Sequence, residues 1–222
     1  MKPDYQKAAI KAMETLIKYD IHSAPVDPLP ILKKIPGVLV MSYSEMSDCV
    51  GMERRKLIST FGLPNMDAST TVVDDNGNKL YIVAYNMLLS FNMLQRALAR
   101  ELGHIVLGHD GSRTDEVRTA EARCFAQHLL CPRPLIKAVQ DSGIPFTVDL
   151  LGNMTGCNEH CLSCMRHLPG VLVPADLNRK VREQFNAYIE EFIRYQLILS
   201  TTDTSRYAMF GSFMDFYEEC AV

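Results

Sequence analysis

Arg100, Glu101 and His104 follow one another as Arg-Glu-x-x-His, one residue away from a pattern that binds metal. In His-Glu-x-x-His, two histidines four residues apart share one helix face and one metal ion. The glutamate beside the first reaches a metal-bound water. Glu101 and His104 keep their places in this chain, and Arg100 stands where the first histidine would be. A third donor must then come from a second helix packed on the first. Glu121 is the candidate, in Glu-Ala-Arg-Cys-Phe-Ala-Gln-His-Leu-Leu-Cys-Pro (121–132), where Ala122, Phe125, Ala126, Leu129 and Leu130 form the packing face.

The elements that must position these residues are legible as periodicities. Helices are expected over 92–107 and 114–130, with Pro132 and Pro134 ending the second and opening a third to Asp141. Ahead of them, Thr70–Val73 and Leu80–Tyr85 are β-branched and aromatic runs flanking Asn76-Gly77, a strong hairpin signal. Val38–Met41 reads as a short strand, 45–61 as a helix interrupted near Gly51, and Asp27-Pro28 as the cap and first residue of a brief helix. Ala8, Ala9, Ala12, Met13, Leu16 and Ile17 give an amphipathic first helix. Towards the end, 155–168 is expected to be helical with Thr155 as its cap. Leu177–Leu199 is expected to form one long amphipathic helix. The fold class is therefore α+β, mostly helical, with a small antiparallel sheet and a helical C-terminal region.

The chain has 222 residues, enough for one substantial core. A net charge of −3 gives no sign of a nucleic-acid coat or an anionic-membrane binder. No window is apolar enough to span a bilayer, and no leader-like apolar run follows the N-terminus. The seven cysteines are odd in number and scattered, so reduced thiols in a cytoplasm are expected rather than a disulfide framework.

Glu-Leu-Gly-His-Ile-Val-Leu-Gly-His (101–109), followed by Glu-Ala-x-x-Phe-Ala-x-x-Leu-Leu-x-Pro, resembles the ImmA/IrrE family of metallo-endopeptidases. The hairpin and the opening Ala-Pro-Val-Asp-Pro stretch are similar too, and the likeness covers roughly residues 5–135. It implies a zincin-like metallopeptidase domain over 1–140 with a helical extension, 141–222, packed on it. It also implies zinc held by two histidines and a glutamate, with His104 as second ligand, Glu121 as third and Glu101 as general base. The substrates of that family are helix-turn-helix repressors of phages, mobile elements and stress regulons. The resemblance therefore implies a repressor protein as partner, with no direct nucleic-acid or membrane role.

Arg100 departs from that pattern. A guanidinium stays protonated and has no lone pair to give a metal. With His104 and Glu121 alone zinc has two protein ligands, where a catalytic site needs three. The expectation is a regulator whose hydrolysis is impaired, with Arg100 as a cation occupying the site and bridging Glu121 or Glu101. Arg100→His is expected to restore zinc binding. Three further residues weigh as replacement ligands, each with a simpler role. His109 would leave the helix after Gly108, Cys124 would be a small buried apolar group, and His128 a partly exposed helix residue.

Cys157, His160, Cys161, Cys164 and His167 form a second cluster. A zinc knuckle is one reading, and with it a scaffold that binds a partner. Positions 157, 161, 164 and 168 also make one helical core face, which a straight helix cannot wrap around a metal. The aromatic tail, Tyr207 to Tyr217, is expected to pack on the preceding helix.

Overall fold

The computed structural model describes residues 2–53, 55–56, 67–75, 78–109, 113–145, 147–157 and 171–201. The first helix, α1 (Tyr5–Lys18), starts where the Asp4 carboxylate accepts the Lys7 backbone N–H at 2.9 Å. Its apolar face, Ala8, Ala9, Ala12, Met13 and Leu16, is fully buried. α2 (Pro28–Lys33) begins as expected, with Asp27 accepting the Leu29 N–H ahead of Pro28. Then comes β1 (Val38–Ser42), followed directly by α3 (Tyr43–Val50). Ser42 and Glu45 form a reciprocal capping box at the start of α3. Gly51, left-handed at φ 60°, ends it at the expected interruption, and 55–56 are helical again. Residues 57–66 lie outside the described residues.

The hairpin strands β2 (Ala68–Asp75) and β3 (Asn78–Tyr85) pair antiparallel, with Thr70 opposite Val83. β1 lies on the other side of β3 and runs parallel to it, with Val40 opposite Val83. The order is β1-β3-β2, so the sheet is mixed rather than antiparallel. The reason is topological. β1 and β3 are not consecutive, and the chain passes through α3 and β2 before β3 returns in the same sense as β1.

Two helices carry the candidate residues: α4 (Phe91–Leu107) and α5 (Asp115–Leu130). Their close approach depends on Gly103. A Cβ there would meet the Phe125 ring at 3.0 Å and the Ala122 carbonyl at 3.2 Å. Leu98, Leu102, Phe125 and Leu129 fill the space on either side of this contact. α6 (Arg133–Asp141) follows at once, with Pro134 in its first turn.

The C-terminal helices differ from expectation. α7 (Val148–Thr155) is capped by Thr147 and ended by Gly156 at φ 66°. Thr155 is thus the last residue of a helix and not the cap of the next. Its hydroxyl donates to the Leu151 carbonyl and accepts the Cys157 N–H. Gly156 and Cys157 are not helical, and 158–168 of the expected 155–168 helix, with His160, Cys161, Cys164 and His167, lie outside the described residues, as does the 207–217 tail. Cys157 itself is buried, its Sγ 3.4 Å from the Sγ of Cys131.

The long terminal helix is two, α8 (Ala175–Gln184) and α9 (Asn186–Thr201), broken at the buried Phe185. At the break, the Gln184 side-chain amide donates to the carbonyls of Leu16 and Ile21, where α1 ends. Val181, Phe185, Tyr188, Ile189 and Phe192 share one core with Leu16, Leu98, Phe125 and Leu129. The protein is a mixed α+β fold, mostly helical, over a three-stranded sheet. Among the described residues no helix is long and apolar enough to cross a membrane.

Candidate functional site

The site lies where α4 and α5 face each other. Glu121, on α5, is 3% exposed. A carboxylate that deep needs hydrogen-bond donors, since burying an unpaired charge is costly. It has three. The Asp4 backbone N–H donates to Oε1 at 2.7 Å, Arg113 Nη1 pairs with the same oxygen, and His109 Nε2 lies 3.0 Å from Oε2.

His109 does not point away after Gly108; it turns back into the site. Gly108 is left-handed at φ 67°, its N–H bonds the Ile105 carbonyl, and the His109 N–H bonds the His104 carbonyl. These two bonds make a Schellman motif, which folds the residue after the glycine back over the last helical turn. His109 therefore lies beside His104, the rings edge-to-face with centroids 5.0 Å apart and the two Nδ1 atoms at 2.9 Å.

Proton positions along this chain follow from its ends. A neutral imidazole has one N–H and one lone pair, and an ionised carboxylate only accepts. His109 Nε2 must then carry the proton given to Glu121, so its Nδ1 is a lone pair. His104 Nδ1 must donate to that lone pair, which leaves the free lone pair of His104 on Nε2. Both rings are held towards the neutral form. Burial chiefly lowers the His104 pKa to about 4, assisted by His109, Arg118 and Arg100 and opposed by Asp115. Burial also lowers that of His109, against the raising effect of Glu121.

Glu101 is 8% exposed and faces the sheet, where the Thr70 hydroxyl of β2 donates to Oε2 at 2.8 Å. Burial raises its pKa, and Thr70 and Arg100 oppose the rise.

Arg100 bridges neither glutamate as an ion pair. Its Nη2 lies 3.7 Å from Asp67 Oδ2, just ahead of β2, and both side chains are partly exposed. The cation paired with Glu121 is Arg113. Arg100 and Asp67 are separated by a stretch of chain that no local pattern connects, whereas Glu121 is reached first by residues flanking its own helix. Arg100→Ala is accordingly expected to cost no more than about 1 kcal/mol in a urea titration, the scale of a partly exposed ion pair. A loss of several kcal/mol would place the guanidinium on a buried carboxylate after all.

The other replacement ligands resolve differently. Cys124 is fully buried, donates to the Tyr5 carbonyl at 3.5 Å, and has its thiol pushed up to about 12 by burial. It is a protonated core residue, not a thiolate. His128 is 2% exposed rather than partly exposed, its pKa lowered to about 4 by burial and then by Arg133.

Zinc, as the resemblance implies it, needs three lone-pair donors around one point. Position 100 offers none, both Glu121 oxygens already accept donors, and Oε1 carries a guanidinium. His104 Nε2 and the second lone pair of Glu121 Oε2 remain, two donors where three are needed, so these residues do not fit zinc in this arrangement. Comparison with protein-family models, with curated proteins and with solved structures found no match.

Proposed function

We propose that the protein is a regulator built on a metallopeptidase-like scaffold that binds a helix-turn-helix repressor of a phage or mobile element and does not cleave it. The resemblance of the 101–109 and 121–132 motifs supports the choice of scaffold and partner. The observation that carries the loss of hydrolysis is the state of Glu121. The carboxylate that would be the third metal ligand has Oε1 taken by Arg113 and the Asp4 N–H, while Oε2 is held by His109. Without a metal to polarise a carbonyl and activate water, Glu101 has no nucleophile to deprotonate.

The test mixes purified protein with recombinant helix-turn-helix repressors from the genetic element that encodes it. Calorimetry follows binding, and denaturing gels follow the repressor over hours. Binding with an intact repressor is expected. Cleavage that disappears in Glu101→Gln would instead establish an active endopeptidase. Failure of every such repressor to bind would remove the proposed partner class.

A further inference from the structure

An arginine at position 100 explains why a metal ligand is missing, but it does not explain what balances the buried carboxylate of Glu121. A metallopeptidase carboxylate is balanced by the metal itself, and losing the ion would leave an uncompensated charge. On the metallopeptidase-like reading proposed above, on which this inference rests, another cation must stand in for the metal at Glu121. We propose that Arg113 is the resident cation of this site. Its guanidinium takes the metal's place on Glu121 Oε1, and the His109–His104 chain fixes Oε2.

Three observations carry this. Arg113 pairs with Oε1, the oxygen that also accepts the Asp4 N–H, so that oxygen has no remaining approach for a metal. The Glu121 side chain is 3% exposed while that of Arg113 is 29% exposed, so the cation covers the carboxylate from the solvent side. Among the described residues, Arg100 and Arg118 pair with Asp67 and Asp115 and not with Glu121. Electrostatics then set two independent barriers to a divalent ion: a ligand missing at 100 and a fixed positive charge at 113. Restoring the ligand alone leaves the second barrier standing.

The inference concerns the metal position only and holds whichever partner the protein binds. Its test compares unmodified protein, Arg100→His, Arg113→Gln and the double variant, each titrated with cobalt(II) chloride. Binding is followed by the visible absorption of the coordinated ion and checked by zinc competition. Glutamine keeps a donor near Glu121, so the fold has a partner for the carboxylate. Little or no binding is expected for the unmodified protein and for Arg113→Gln, weak binding for Arg100→His, and binding at least about tenfold tighter for the double variant. Equal affinity in Arg100→His and the double variant overturns the proposal, as does one tightly held ion in the unmodified protein. If the double variant fails to fold, nitrogen-15 spectra of the unmodified protein decide. Arg113 guanidinium signals protected from exchange and unchanged by zinc are expected; rapidly averaged signals, or signals that move with zinc, overturn the proposal. Neither result bears on whether a repressor binds.

Discussion

Glu121→Ala is expected to cost about 3–5 kcal/mol of folding stability, the range for removing one partner of a buried charged pair. The change strands three donors at once: the Arg113 guanidinium, the His109 Nε2–H and the Asp4 N–H. His109, 3% exposed, gains water least, whereas Arg113 is 29% exposed and reaches solvent more readily. Glu121→Gln should be milder, at roughly 1–3 kcal/mol. Its carbonyl still accepts, but its amide would meet the His109 N–H with a second donor. Urea unfolding of the three proteins at pH 7 measures both steps. Beside the small cost expected for Arg100→Ala, this ranks the two arginines. If Glu121→Ala proved no worse than Arg100→Ala, the buried network would not be a structural element of the site.

The second large effect is on acidification. His104 and His128 each titrate near 4 in the folded protein against 6.5 ordinarily. Between those values the unfolded chain binds protons that the native state refuses, so stability falls as pH falls. Each histidine contributes a slope of about 1.4 kcal/mol per pH unit, on the order of 3 kcal/mol across the interval. His109 acts in the same direction. Glu101 acts in the opposite one. Its raised pKa means that the folded state takes up its proton first, which relieves part of the loss at the acid end. Urea midpoints measured from pH 7 to pH 4.5 should drop more steeply than carboxylates alone would make them. His128→Leu isolates one component. The ring is buried beside Arg133, and its Nε2 has no hydrogen-bond partner among the described residues. An apolar side chain there should flatten the profile by about one proton's slope. An unchanged profile in that variant would show that His128 titrates alike in the folded and unfolded chains and that its burial does not hold it neutral.

Much of the scaffold could be read from local signals. The Asp27-Pro28 start, the hairpin around Asn76-Gly77 and the helices carrying Glu101 and Glu121 rest on spacing and turn chemistry within a few residues. The parallel partner of β3 did not, because pairing between strands some forty residues apart leaves no periodic mark. Nor did the break at Phe185. Its helical period continues through the break, and what marks the place is the distant end of α1, which Gln184 reaches.

The site divides the same way. His104 and Glu121, which their motifs set around one metal, are joined here through His109. The inward turn of His109 was within reach, since a glycine just after a helix places the next residue against the one five before it. The partners of Arg100 and Glu121 were not. Asp67 and Arg113 lie in connecting segments, where no pattern says which charge will face which.

One bond has a consequence for how the protein is made. The Asp4 N–H that caps Glu121 lies 117 residues upstream of it, and α1 packs on α5 and α8. At ribosomal rates of 5–20 residues per second, α1 exists for on the order of ten seconds before α5 is synthesised. Throughout that interval the core that α1 shares with Phe125 and Leu129 is incomplete. The nascent chain is therefore more exposed to chaperones and proteases until α5 is made, and slowing translation ahead of Asp115 should lower the yield of soluble protein.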